Sequence, residues 1–289
     1  MRSPSCFSGR LAFRPLVFLS ACLCAGWSGA QVTFQVVPAT NDLTGMGTAL
    51  ALSQDGSALS GAGWSLTNWA PRAFRWTATA GTTQFDVPSA VTSSGWGVSD
   101  SGTVVAGWYF QSDVGAFIWN NGTYHTVTYR YGAVIRTVSA DGSLALGANP
   151  ANNTSAVGIA AQWAISTGSP TSLGDLAGGA TESEARRISA DNSTIVGWGT
   201  SDSGVEAFRR VGTTMTGLGD LPGGKFFSQA LAVSSNGVVV VGRSDSTNGM
   251  QAFRWSSTNG MVALGDLPGG AFYSEATDVS GDGTIIVGT

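Results

Sequence analysis

The chain has 289 residues, 43% hydrophobic and 11% charged, with 41 glycines and a formal net charge of −4. That apolar content is enough for a large core and excludes a disordered chain, while scarce charge beside abundant Gly, Ser, Thr and Val predicts strands and tight turns. An acidic balance with no basic cluster argues against nucleic acid and anionic membrane surfaces as partners, and no stretch of the chain body reaches the ~20 apolar residues of a membrane helix.

Residues 1–30 read as a secretory signal peptide. Arg2, Arg10 and Arg14 precede an apolar run from Leu16 to Gly26, and Ser28-Gly29-Ala30 supplies small residues for cleavage after Ala30. Leu19-Ser20-Ala21-Cys22 offers an alternative, a lipobox that would place a lipidated Cys22 at the mature N-terminus. All three cysteines (Cys6, Cys22, Cys24) fall in this segment, so a chain starting at Gln31 has neither disulfides nor thiolate metal sites. It keeps 11 basic residues against 18 acidic ones, a net charge of −7, and Lys225 is its only lysine.

From residue 31 onward the chain repeats with a period of about 45 residues. One anchor is Ser-x-x-Gly (Asn192 replacing the glycine once) followed by an apolar run ending in glycine: SQDGSALSG from Ser53, SDSGTVVAG from Ser99, SADGSLALG from Ser139, SADNSTIVG from Ser189, SSNGVVVVG from Ser234 and SGDGTIIVG from Ser280. A second is an aromatic tetrad, AFRW at Ala73, AFIW at Ala116, AAQW at Ala160, AFRR at Ala207 and AFRW at Ala252. The third is a heptad, LGDLAGG from Leu173 and LGDLPGG from Leu218 and Leu264; QFDVPSA from Gln84 and FQVVPAT from Phe34 are weaker copies.

Each module predicts four short strands. A half-buried strand such as FSQALAV leads into an Asp-Gly or Asn-Gly turn. Continuously apolar runs such as Val238–Val241 and Thr284–Val287 are then expected to be buried on both faces. The tetrad strand packs between modules, and a short strand such as MTGLGDL closes the unit. In the heptad, leucine enters the core, aspartate accepts backbone N–H groups, proline fixes φ and Gly-Gly reverses the chain. Asp175, Asp220 and Asp266 could be read as a calcium ladder, but one carboxylate per module falls far short of six to eight oxygen ligands. Four strands per module, six times, predict an all-β protein: a β-propeller of about six four-stranded blades, with a β-solenoid as the rival. The last blade is expected to be incomplete, because Thr289 follows its apolar strand and precedes any tetrad. Either a strand around Val32–Val37 helps close the ring or the sequence is a fragment.

The combination of L-G-D-L-P-G-G, V-S-x-D-G-x-x-x-V-G and A-F-R-W resembles the HAF repeat family of extracellular bacterial repeat proteins, over nearly all of residues 32–289. The histidine of its name triplet is replaced here, as in Arg72-Ala73-Phe74 and Gln251-Ala252-Phe253. The resemblance implies export and a repeat architecture, and no established activity.

Catalytic chemistry finds little support. His125 is the only histidine, and no G-x-S-x-G elbow accompanies it. Glu182, Glu184, Glu206 and Glu275 are the only glutamates, and Glu184 and Glu275 occupy matching repeat positions, as scaffold residues do. No catalytic residue, metal ligand or cofactor is therefore assigned. Trp76, Trp119, Trp163 and Trp255 recur with the tetrad and are expected in the core. Trp108 and Trp198 follow the glycine that ends the apolar strand, with Trp64 two positions further on in its module, and are expected to leave the sheet at loops. These three form the candidate ligand site, since an exposed indole stacks on sugars or anchors a partner. The resulting expectation is an exported binding or display module with a polysaccharide or a surface protein as partner. The alternatives are a polysaccharide-cleaving enzyme on a propeller scaffold and a structural repeat domain of a larger surface protein.

Overall fold

A computed structural model describes residues 43–128, 133–150 and 158–289. The leader assigned to residues 1–30, Cys22 and the strand expected around Val32–Val37 lie outside these residues.

The described residues form strands and turns, grouped into five four-stranded antiparallel sheets and one two-stranded sheet. Sheet one contains β1 (Leu43–Leu52), β2 (Ala58–Ser65), β3 (Pro71–Thr77) and β4 (Gly81–Gln84). Sheet two contains β5 (Thr92–Val98), β6 (Val104–Phe110), β7 (Val114–Asn120) and β8 (Thr123–Thr128). Sheet three follows with β9 (Val134–Val138), β10 (Leu144–Asn149), β11 (Ile159–Ala164) and β12 (Ser169–Gly174). Sheets four and five are β13 (Ser183–Ile188), β14 (Thr194–Ser201), β15 (Gly204–Val211), β16 (Thr214–Gly217), then β17 (Ser228–Val233), β18 (Val239–Ser246), β19 (Gly249–Ser256) and β20 (Gly260–Gly265). Sheet six has β21 (Ala276–Val279) and β22 (Ile286–Gly288). Strand order within each sheet is sequence order, so every module is a simple meander. The first strands are innermost, and their ends from all six sheets line one central cavity.

The repeated Ser-x-Asp-Gly segment is the hairpin between the first two strands. In sheet four, Ser189 Oγ donates to Asp191 Oδ1 (2.5 Å), Ser193 N donates to the same oxygen (3.0 Å), and Thr194 N donates to Ser189 Oγ (3.0 Å). The turn needs a positive φ at its fourth residue, met by glycine at Gly237 (68°) and by asparagine at Asn192 (58°). Successive turns are joined: Ala190 N donates to Ser235 O (3.1 Å), and Ser235 N to Gly281 O (3.0 Å).

A serine at the start of the first strand stitches sheets four, five and six each to the one before it. Ser228 Oγ accepts from Ala207 N of the preceding tetrad (2.9 Å) and donates to Gly219 O of the heptad (2.6 Å). Ser183 and Ser274 repeat both bonds with Ala160 and Gly174, and with Ala252 and Gly265. The heptad carboxylates bond as the sequence predicts, to backbone: Asp175 accepts from Leu176 N (2.9 Å) and Glu182 N (2.8 Å), and Asp266 from Leu267 N (2.9 Å) and Tyr273 N (3.0 Å).

Hydrophobic clusters fill the spaces between neighbouring sheets. Leu218 and Leu221 of the heptad pack with Val196 and Ala207 of sheet four and Ala230, Val240 and Phe253 of sheet five. Two expectations are corrected. The first strands are not half-buried: five of the six residues of Ser228–Val233 are buried, because the strand has a sheet on either side. Conversely, Val238 is exposed beside its turn, and no residue of Thr284–Val287 is fully buried, since sheet six has two strands where the others have four.

Candidate functional site: the mouth of the central channel

All six first strands carry a β-bulge three residues before the turn serine, so one residue of each is skipped in the pairing with the second strand. The skipped residues are Leu50, Trp96, Arg136, Arg186, Leu231 and Thr277. A bulge bends its strand and re-aims a side chain. The glycine ending each apolar run fits this feature. A Cβ at Gly242 would lie 2.0 Å from Gln229 O, and one at Gly197 only 1.9 Å from Glu184 O, so the bulged strand is approached too closely for any side chain.

Around this frame, identical in all six sheets, the bulge residues differ. On sheets two to four they form a continuous ladder with their neighbours. The rings of Trp108 and Trp96 lie 6.3 Å apart at 58°. Arg136 stacks over Trp96 at 4.9 Å from the ring centre, within cation–π range. Its Nε donates to Glu184 Oε1 (2.6 Å). Arg186 Nε lies 2.8 Å from that same oxygen, an ion pair without hydrogen-bond alignment. Glu184 is buried and pairs across the strands with Trp198, whose indole Nε1 is buried without an acceptor. On sheets five and six, Arg243 bonds Gln229 Oε1 (2.8 Å), Glu275 Oε2 (3.1 Å) and Tyr273 Oη (3.3 Å). Burial pushes the Arg186 guanidinium below its ordinary value; Glu184 opposes that shift, and Arg136, Arg243 and Arg187 reinforce it.

Below the bulges the cavity has a volume of about 330 Å³ and is lined by residues that include Arg187, Thr137, Gln54 and Asp278. Gln54 Nε2 of sheet one donates to Ile188 O of sheet four (3.0 Å), spanning the channel.

Of the three tryptophans expected at the site, Trp108 and Trp198 border this ladder, whereas Trp64 is 42% exposed on β2 beside Pro71 of β3, with nothing linking it to the others. The placement in loops is corrected. Trp108 and Trp198 are half-buried within β6 and β14, because the second strand runs past its glycine. The absence of a basic cluster is corrected too, since the fold gathers Arg136, Arg186, Arg187 and Arg243 from three sheets. Trp96 and these arginines were missed. The available signal was that the third residue before each turn serine changes in size and charge from module to module. His125 lies on an outer strand against Gly168 of sheet three. Glu206 accepts from Gly219 N (2.9 Å) as a structural residue.

Four-stranded antiparallel meanders set around a central channel define a β-propeller; the described residues form five four-stranded blades and two strands of a sixth. Solved structures that share this fold include two TolB proteins. One is TolB from Acinetobacter baumannii, with a TM-score of 0.51 and 14% identity, covering 78% of this chain and 55% of that one. The other is the putative TolB from Agrobacterium tumefaciens, with a TM-score of 0.51 and 17% identity, covering 80% and 83%. The chain thus spans little more than half the length of the first. No protein-family model and no curated protein matches it.

Proposed function

We propose that this protein is an exported, non-catalytic binding module of the cell exterior, and that its ligand is a carbohydrate held at the channel mouth. The observation that carries this reading is the bulge series. One frame is repeated six times, and the residues it sets out of register on the inner strands differ from sheet to sheet. A repeat serving only as scaffold has no need of a Trp-Trp-Arg-Glu ladder at that position. Half-buried tryptophans beside donors and acceptors suit sugars, whose rings present an apolar face and a polar edge. The likeness to HAF repeat proteins and the leader-like first thirty residues support export. Glutamates already held by arginine or by backbone support binding rather than acid–base hydrolysis: Glu184 is paired with Arg136 and Arg186, and Glu275 with Arg243.

The test is a glycan and polysaccharide array with the exported chain, its Trp108→Ala/Trp198→Ala variant and its Trp64→Ala variant. The double variant is expected to lose specific binding and Trp64→Ala to retain it. A folded wild type that binds no glycan would rule the carbohydrate reading out.

A further inference from the structure

We propose that the channel mouth selects a carboxylate-bearing sugar, a uronic acid unit of an acidic polysaccharide; this deepens, and rests on, the carbohydrate reading above. Arg186 and Arg187 are consecutive, and the bulge separates their roles. Arg186 is the skipped residue at the mouth, while Arg187 returns to register opposite Val196 and lines the cavity. Arg136 is held by Trp96 and Glu184, and Arg243 by Gln229, Tyr273 and Glu275. Arg186 and Arg187 differ from them. Among the described residues, Arg186 has only its poorly aligned Nε contact, and Arg187 takes part in no ion pair. Two partly buried guanidiniums on consecutive residues, with unused planar donors and one of them lining the cavity, match a carboxylate, which guanidinium binds through two parallel bonds.

The neighbouring groups decide what bears that carboxylate. Trp96 and Trp108 are half-buried and tilted, and offer apolar ring area beside Arg136. An acidic peptide side chain would use the arginines and leave the indoles unmatched, whereas a uronate ring uses both. The cavity of about 330 Å³ lies at the low end of the ~300–1,000 Å³ seen for small-molecule pockets, room for one such unit rather than several.

The experiment is calorimetric titration of the full exported chain with uronate oligosaccharides, with neutral oligosaccharides of matched length, and with polyglutamate. Arg186→Gln and Arg187→Gln are titrated alongside, each first shown by circular dichroism and melting to be folded. Uronate oligomers are expected to bind, and each variant to weaken them by roughly 10-fold to 100-fold, the worth of charge-assisted hydrogen bonds. Equal affinity for neutral and acidic oligomers would overturn the inference and leave the carbohydrate reading standing. Polyglutamate binding as well as uronate would overturn it in favour of a general polyanion site. Failure of every glycan would overturn both readings.

Discussion

At the scale of single residues, the repeat is a set of hydrogen-bond assignments. Ser228 satisfies Ala207 N and Gly219 O at the joint between sheets four and five. Ser228→Ala therefore leaves two backbone groups without partners where the serine is fully buried. It should cost about 1–3 kcal/mol in urea unfolding. Ala133 at the same position of sheet three explains why that joint lacks the stitch. The turn aspartates make a second prediction. Hydrogen bonds from Ser189 and Ser193 hold Asp191 below the usual carboxylate range, and those from Ser280 and Thr284 hold Asp282 at about 2. A lowered folded-state value means stabilisation that is complete above the unfolded value of about 3.9 and lost as pH falls through the folded one. Through these turn aspartates the melting temperature should decline from about pH 4 toward pH 2. Asp191→Ala should shrink that decline. The sequence shows these residues plainly, because each recurs, and it places the turn partners of the aspartates two positions away; it does not show the partners of Ser228, which lie on the preceding sheet.

At the scale of elements, the bulge and its glycine act together. Gly242→Ala would force a methyl group to 2.0 Å from Gln229 O, so the two inner strands must part. The loss should reach about 3 kcal/mol or more, read as a large drop in melting temperature, whereas at the exposed turn glycine Gly260 only the positive φ (65°), and no neighbouring atom, opposes a side chain. The four strands of each module and their turns were legible from the spacing of the serine, tetrad and heptad anchors. The bulge was not. It is a property of pairing between two strands, and on one strand it looks like an ordinary alternation of small and larger residues. The candidate site was legible to the same extent: Trp108 and Trp198 stood out as departures from the repeat, while Trp96, Arg136 and Arg186 sit on bulges and did not. Arg136 and Glu184 are 48 positions apart, and only the ring brings them to 2.6 Å.

At the scale of the whole molecule, stability comes from sheets packed on sheets, so equal sequence positions are not equal in energy. Leu221 is 3% exposed and Leu267 81%, though both are the fourth residue of the same heptad. Sheet five covers the first, and no described strand covers the second. Leu221→Ala should cost about 2–5 kcal/mol in thermal or urea unfolding. The central claim is that the constant part of the repeat builds the ring and the varying bulge residues bind. Its most direct test is to measure glycan affinity and melting temperature side by side for two variant groups. The first is Trp96→Ala with Arg186→Gln, the second Ser228→Ala with Asp191→Ala. The first group should lose affinity at a nearly unchanged melting temperature, and the second should melt earlier yet bind normally while folded. Loss of binding in the second group with normal binding in the first would contradict that division of labour.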